Sequence, residues 1–196
     1  MTSAEVKKSA QMWHHAGVAA SAPDSPPSVA GVRPPFWVTL VATSFGAGFM
    51  PGMPGHTGTL TAVAMAWGLA HAPAWLYGIV LLFIIAIGTI ASELWGQSTG
   101  VPDDQRIVVD EVVGYLATLM FVPRTWPTLI VAFFLFRLLD VWKPGPIGKA
   151  DRTLGGGVGV MADDLVAGVI GALIMIPLYY SGAIGWVTQQ LMRVVG

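Results

Sequence analysis

From residue 36 onward the chain alternates apolar stretches with short turns rich in glycine, proline and charge. A first apolar segment, 36–45, is too short to span a bilayer and is expected at the interface or as a re-entrant piece. Glycine and proline then crowd residues 46–58 (GAGFMPGMPGHTG), which read as a loop. A second helix is expected from near Thr59 to near Ala70. Pro73 opens a third that ends near Trp95, and 100–104 is a turn. The fourth covers about 107–122, where Pro123 stops it. Pro127 opens a fifth that reaches Trp142, ahead of Pro144 and Pro146. After the glycine-rich stretch 145–157, a sixth runs from about Val158 to Tyr180. The last segment, 184–195, reads as a short amphipathic helix. The expected fold is therefore all-α, a membrane bundle of about five to six helices.

Composition sharpens that picture. Apolar residues make up 54% of the 196 and charged residues 11%, against about 25% charged in an ordinary soluble domain. Residues 75–92 (WLYGIVLLFIIAIGTIAS) carry no charge, and a chain this short has little protein in which to bury such a run. A net charge of −1 and the lack of a basic arm give no reason to expect a nucleic-acid partner. With no cysteine, disulfides, thiolate metal sites and a cysteine nucleophile are excluded. Lys7 and Lys8 do not begin a signal peptide, because no apolar core precedes the Ser/Pro-rich stretch 21–28. Residues 1–34 are expected to be a mostly disordered tail with a short helix near Trp13, and 35–196 the helical domain.

Counting turns gives sidedness. The loops 46–58 and 96–106, the end of the fifth helix and the start of the sixth all fall on one face. Arg106, Lys143, Lys149 and Arg152 lie there too, against Arg124 on the other side. By the positive-inside rule this face is expected to be cytoplasmic.

That same face gathers the candidate chemistry. Asp110 and Glu111 lie in IVVDEVVGYL, Asp140 in FFLFRLLDVWKP, and Asp163 and Asp164 in GVMADDLVAGV. Charges at membrane depth are costly and face a cavity or a partner. An ion pair of Asp140 with Arg137 or Lys143, each three residues away, would account for Asp140 alone. It leaves two adjacent acid pairs, which a divalent cation between helices would neutralise. Oxygen-only ligation points to Mg²⁺ or Mn²⁺ rather than zinc. A glycine follows Asp110 and Asp164 by four residues, at Gly114 and Gly168, a spacing that lets helices approach closely beneath the acids. Gly55, Gly58 and Thr59 would present backbone N–H groups at a helix start. Arg137, Lys143 and Arg152 are suited to phosphate oxygens, whereas Lys149 reads better as an anchor. His56 is the one histidine near these residues and is a helper at most; His14, His15 and His71 look incidental.

Taken together, GAGFMPGMPGHTGTL (46–60), VDEVVG (109–114), FRLLDVWKPGPI (136–147) and DRTLGGGVGVMADDLVAG (151–168) resemble the phosphatidylglycerophosphatase A family in order and spacing. The resemblance covers about residues 36–180. The family loop usually reads Pro-Gly-Thr-x-Gly-Ser; here it is Pro54-Gly55-His56-Thr57-Gly58-Thr59, with the first Thr replaced by His56. The resemblance implies a Mg²⁺-dependent phosphomonoesterase of the bacterial inner membrane, multi-pass, acting on phosphatidylglycerophosphate. Asp110, Glu111, Asp163 and Asp164 would hold metal. Asp140 would ligate metal or orient water, and Arg137, Lys143 and Arg152 would hold phosphate beside Gly55, His56 and Thr59. The oligomeric state stays open. The rival reading, a cation channel or transporter, would need acids spread along the bundle's depth.

Overall fold

The structure is a computed structural model that describes residues 31–145, 147 and 155–195. Most of the expected tail, 1–30, lies outside the described residues, as do Lys149 and Arg152. The described part is all-helical, with seven α-helices. They are α1 (Phe36–Ala42), α2 (Pro54–Gly68), α3 (Ala74–Thr99), α4 (Val109–Thr118), α5 (Trp126–Trp142), α6 (Gly156–Tyr180) and α7 (Ala183–Val195), with a 3-10 turn at Ala47–Phe49 between the first two.

The short helix α4 is the axis of the bundle. Every residue from Val112 to Thr118 is buried, and α2, α3, α5 and α6 all pack on it. At 10 residues it is about 15 Å long, half a bilayer core. Its end lies inside protein, so its last carbonyls need partners other than water. Tyr77 Oη donates to the Leu116 carbonyl at 2.7 Å, and Thr118 Oγ1 to that of Gly114 at 3.0 Å. The expected fourth helix was longer because its apolar run continues to Val122. Residues 119–122 instead tighten into i to i−3 turns, with Leu119 and Met120 bonding Leu116 and Ala117.

Helix α2 starts five residues earlier than its composition suggested. Pro54 sits in its first turn, where a missing N–H costs nothing, and the Met53 carbonyl accepts from His56 and Thr57. The Pro-Gly-His-Thr segment is therefore helical rather than looped.

Two helices, α3 and α6, are long and apolar enough to cross a membrane, with 26 and 25 residues. Large apolar side chains clothe the outside: Ile79, Leu82, Phe83 and Ile90 on α3, Ile130 and Phe134 on α5, Val169 and Leu173 on α6. A surface of that kind suits hydrocarbon better than water. At one end of the bundle Arg124 ties the chain together, donating to the carbonyls of Leu69 and Ala72 at 3.0 and 2.7 Å over the Tyr77 ring. The polar cavity opens at the other end.

Candidate active site

A cavity of about 610 Å³ is lined by the start of α2, the 102–107 loop, the start of α4, the end of α5 and the start of α6. Asp110, Glu111, Asp140, Asp163 and Asp164 all border it, with Arg137, Lys143, Gly55 and His56. Three antiparallel helix ends bring together acids up to 54 positions apart in the chain, from Asp110 to Asp164.

Within the cavity the five acids divide by partner. Asp140 Oδ2 lies 2.6 Å from Arg137 Nη1, and Asp163 Oδ2 takes Lys143 Nζ at 2.6 Å. The other three, Asp110, Glu111 and Asp164, each place a carboxylate oxygen within 4.8 Å of the others. Only the more distant Arg137 Nη1, 3.9 Å from Glu111 Oε1, approaches this trio as a cation among the described residues. Glu111 Oε2 is buried with no hydrogen-bond partner, as is Arg137 Nε. Desolvated acids gathered in this way are expensive unless a cation joins them, and their all-oxygen donor set suits a hard divalent ion.

Close backbone packing makes the convergence possible. A Cβ at Gly114 would lie 2.6 Å from the Asp164 carbonyl oxygen and would strike the Phe136 ring. A Cβ at Gly168 would strike the Gly114 carbonyl and come within 2.8 Å of Ala117 Cβ. The helices carrying Asp110 and Asp164 therefore meet backbone to backbone one turn below the acids, at the two glycines that the spacing singled out. Gly55 instead makes room for side chains: a Cβ there would sit 3.1 Å from Arg137 Nη1 and against Glu111 Oε1. His56 Nδ1 lies 3.4 Å from Arg137 Nη2.

Thr59 lies elsewhere. It is fully buried, and its hydroxyl donates to the Gly55 carbonyl at 2.9 Å, so it braces the first turn of α2 and does not line the cavity. The cause is the earlier helix start, which turns position 59 inward. Lys143 caps α5 in a left-handed conformation with φ +45°, uncommon for a residue with a side chain. That backbone turn accompanies the bond from its ammonium to Asp163.

Two further acids support the site without having been picked from the sequence. Glu93 Oε2 accepts the Gly157 amide at 2.6 Å and so caps the start of α6. A lone acid just past an uncharged run of 75–92 was the available signal. Asp104 accepts from Arg106 Nε and from Trp95 Nε1 at 3.1 Å, and lines the cavity's far wall. The Arg106 hydrogen bonds hold its carboxyl down at about 2.

The model of the family described as phosphatidylglycerophosphatase A matches residues 40–179, which contain every described wall of this cavity. The chain belongs to that family. It is 41% identical to phosphatidylglycerophosphatase A of Escherichia coli (strain K12) over 144 residues, 73% of this chain and 82% of the relative. The Haemophilus influenzae phosphatidylglycerophosphatase A is 31% identical over 149 residues, 73% and 89% of the two chains. A Bacteroides thetaiotaomicron protein provisionally described as a phosphatidylinositol-3-phosphatase is 39% identical over 156 residues, 70% and 90%. No solved structure matches the chain. Both matched namesakes are phosphatases by description, and the acidic cluster in the cavity could hold a metal ion.

Proposed function

We propose that this chain hydrolyses the terminal phosphate monoester of phosphatidylglycerophosphate, giving phosphatidylglycerol and phosphate, with Mg²⁺ held by Asp110, Glu111 and Asp164. The observation that carries the reading is the meeting of those three carboxylates beside Arg137 in one cavity at the end of a membrane-type bundle. Bound by these three carboxylates, Mg²⁺ would supply positive charge for the phosphoryl oxygens and acidify a nearby water. Arg137 and Lys143 neutralise further charge on the equatorial oxygens as it grows. Asp163 orients the Lys143 ammonium, and Asp140 anchors the Arg137 guanidinium through Nη1. Asp140 also orients the attacking water and accepts its proton. Water oxygen bonds to phosphorus as the phosphorus–ester oxygen bond breaks, the released oxygen takes a proton from solvent water to become the glycerol hydroxyl, and Asp140 returns its proton to solvent. Arg152, outside the described residues, belongs in the same role as Lys143 on the resemblance alone.

In this reading residues 35–196 form the catalytic domain behind a tail at 1–34. The bundle sits in the bacterial inner membrane with the cavity toward the cytoplasm, where the excess of Lys and Arg lies. A channel would need polar groups continuing down the bundle, but beneath the acids Val113, Leu116 and Phe136 are fully packed.

The test is phosphate release by the purified full chain in detergent micelles. Phosphatidylglycerophosphate should be hydrolysed with Mg²⁺, and excess chelator should abolish turnover until Mg²⁺ is restored. Phosphatidylinositol 3-phosphate in a parallel arm measures the breadth of headgroup accepted. Full turnover in chelator would refute the metal reading; no release from either lipid would refute the activity.

A further inference from the structure

Arg137 is the one cation among the described residues that approaches the trio Asp110, Glu111 and Asp164, and its two carboxylate neighbours do not by themselves set its direction. Asp140 Oδ2 at 2.6 Å and Glu111 Oε1 at 3.9 Å both draw on the same nitrogen, Nη1. Neither Nη1 nor Nε makes a hydrogen bond, so these contacts attract the guanidinium without orienting it. Its one hydrogen bond among the described residues joins Nη2 to His56 Nδ1, at 3.4 Å. That bond comes from another helix, the first turn of α2, where Gly55 leaves the space: a Cβ there would lie 3.1 and 3.2 Å from Nη1 and Nη2. A guanidinium carries donors and no acceptor. The His56 Nδ1 that receives the bond is therefore the bare nitrogen, and the ring proton of the neutral imidazole sits on Nε2.

We propose that His56 is a positioning residue for the phosphatase reaction: its Nδ1 holds Arg137 Nη2, keeping the guanidinium on the cavity wall and off Glu111. It acts through Arg137 and not on the substrate itself. The inference rests on the phosphatase reading and adds what fixes the phosphate-binding cation.

Glu111 makes such a restraint necessary. Its Oε1 already stands 3.9 Å from Nη1, and its Oε2 is buried with no hydrogen-bond partner. A guanidinium free to turn about the Asp140 contact would close on that carboxylate, because opposite charges this near attract strongly once water is excluded. Arg137 would then occupy oxygens that the metal reading assigns to Mg²⁺ and leave the phosphoryl group. His56 is suited to prevent this because its own backbone is fixed. Its N–H donates to the Met53 carbonyl at 3.1 Å in the first turn of α2, and both His56 and Arg137 border the cavity. An uncharged acceptor has the further merit of holding Nη2 without neutralising it, so the positive charge stays available to an anion.

The experiment measures steady-state hydrolysis of phosphatidylglycerophosphate by the full chain in micelles at saturating Mg²⁺. Arg137 meets charge that grows in the transition state, so His56→Ala should lower kcat about tenfold, the effect of one hydrogen bond to a charged group, with KM within about twofold. The oxygen of an Asn side chain hangs from Cγ as Nδ1 does, whereas the Gln carboxamide reaches one bond further, to where Nε2 lies. His56→Asn should therefore return kcat to within about threefold of wild type, and His56→Gln should be as slow as His56→Ala. In an Arg137→Ala background, His56→Ala should cost nothing further, because the group it positions is gone. Nitrogen-15 NMR of the histidine-labelled full chain at about pH 8, where imidazoles are neutral, gives a readout besides activity. It should show a bare Nδ1 and a protonated Nε2 for His56, the signal being assigned by its loss in His56→Asn. Wild-type kcat in His56→Ala, rescue by Gln instead of Asn, rescue by neither, a further loss in the Arg137→Ala background, or the reverse tautomer would each overturn the positioning role. Wild-type protein inactive on the lipid would overturn the phosphatase reading instead, and the tautomer would still decide the contact.

Discussion

Gly114→Ala adds one methyl group at the place where the helices carrying Asp110 and Asp164 touch. Its Cβ would lie 2.6 Å from the Asp164 carbonyl oxygen, 0.8 Å inside the 3.4 Å at which ordinary contact begins. Phe136, the other neighbour, is fully buried and has nowhere to turn. The strain must therefore go into separating α4 from α6. Overpacking of this kind costs about 1–3 kcal/mol, but alanine is favoured over glycine in a helix by about 1 kcal/mol. Net destabilisation is thus only about 0–2 kcal/mol, and thermal unfolding should change little. Geometry is less forgiving. The residue pushed is Asp164 itself, and a displacement near 1 Å at a catalytic group costs about 100-fold in rate. Gly114→Ala should therefore lower kcat on phosphatidylglycerophosphate about 100-fold, and higher Mg²⁺ should be needed for half-maximal activity. The Tm in micelles should fall by only a few degrees. A variant with wild-type kcat and Mg²⁺ dependence would refute the claim that the glycine contact brings the carboxylates together. One that simply unfolds would show that packing, rather than site geometry, sets the demand for glycine.

Asp110→Asn and Asp164→Asn should each reduce kcat by at least about 100-fold, since metal charge is worth several kcal/mol in phosphoryl transfer; size-exclusion chromatography should still give a monodisperse protein, and near-normal turnover would remove that residue from the site. Asp163→Asn should instead act through Lys143, raising KM more than it lowers kcat, and steady-state kinetics separates the two. Asp104 has a depressed folded-state pKa, so its contribution to stability is present above its ordinary value near 3.8 and fades as pH falls toward about 2. Asp104→Asn should destabilise at pH 7 by about 1–2 kcal/mol, a figure held down because Arg106 is half exposed; the gap to wild type in thermal unfolding should close in acid, and a pH-independent gap would rule out the ion pair as its cause. Sidedness is open to thiol labelling because the chain has no cysteine: Gly155→Cys should label from the cytoplasm and Thr125→Cys from the opposite side, and the reverse would place the cavity on the outer leaflet.

Apolar runs and their proline boundaries determined the helices to within a few residues, because in a membrane-type chain each run must satisfy its own backbone and so can only be helix. The exceptions have local causes. Pro54 stands in a glycine- and proline-rich stretch that reads as a loop, although a helix accepts proline in its first turn, and residues 119–122 carry helical composition but tighten into turns before Pro123. The acids were legible for a similar reason: a carboxylate in an apolar segment has no bland explanation beyond an ion pair, and the i, i+4 glycines beneath Asp110 and Asp164 announced a close approach. Sequence left open which acids converge on one another and which are held by Arg137 and Lys143. Adjacent residues on a helix point about 100° apart, so Asp163 and Asp164 were equivalent until the packing of α6 turned Asp164 toward Asp110 and left Asp163 to Lys143. Thr59 was misplaced by the same kind of ambiguity, a shift of helix start that rotates a residue from cavity to core. Glu93 depends on a contact across 64 residues, with Gly157, whereas Asp104 is held by Arg106 and Trp95, two and nine residues away. Only tertiary packing determines which stripes of two helices face each other, and so whether an apolar stripe becomes core or a wall open to lipid.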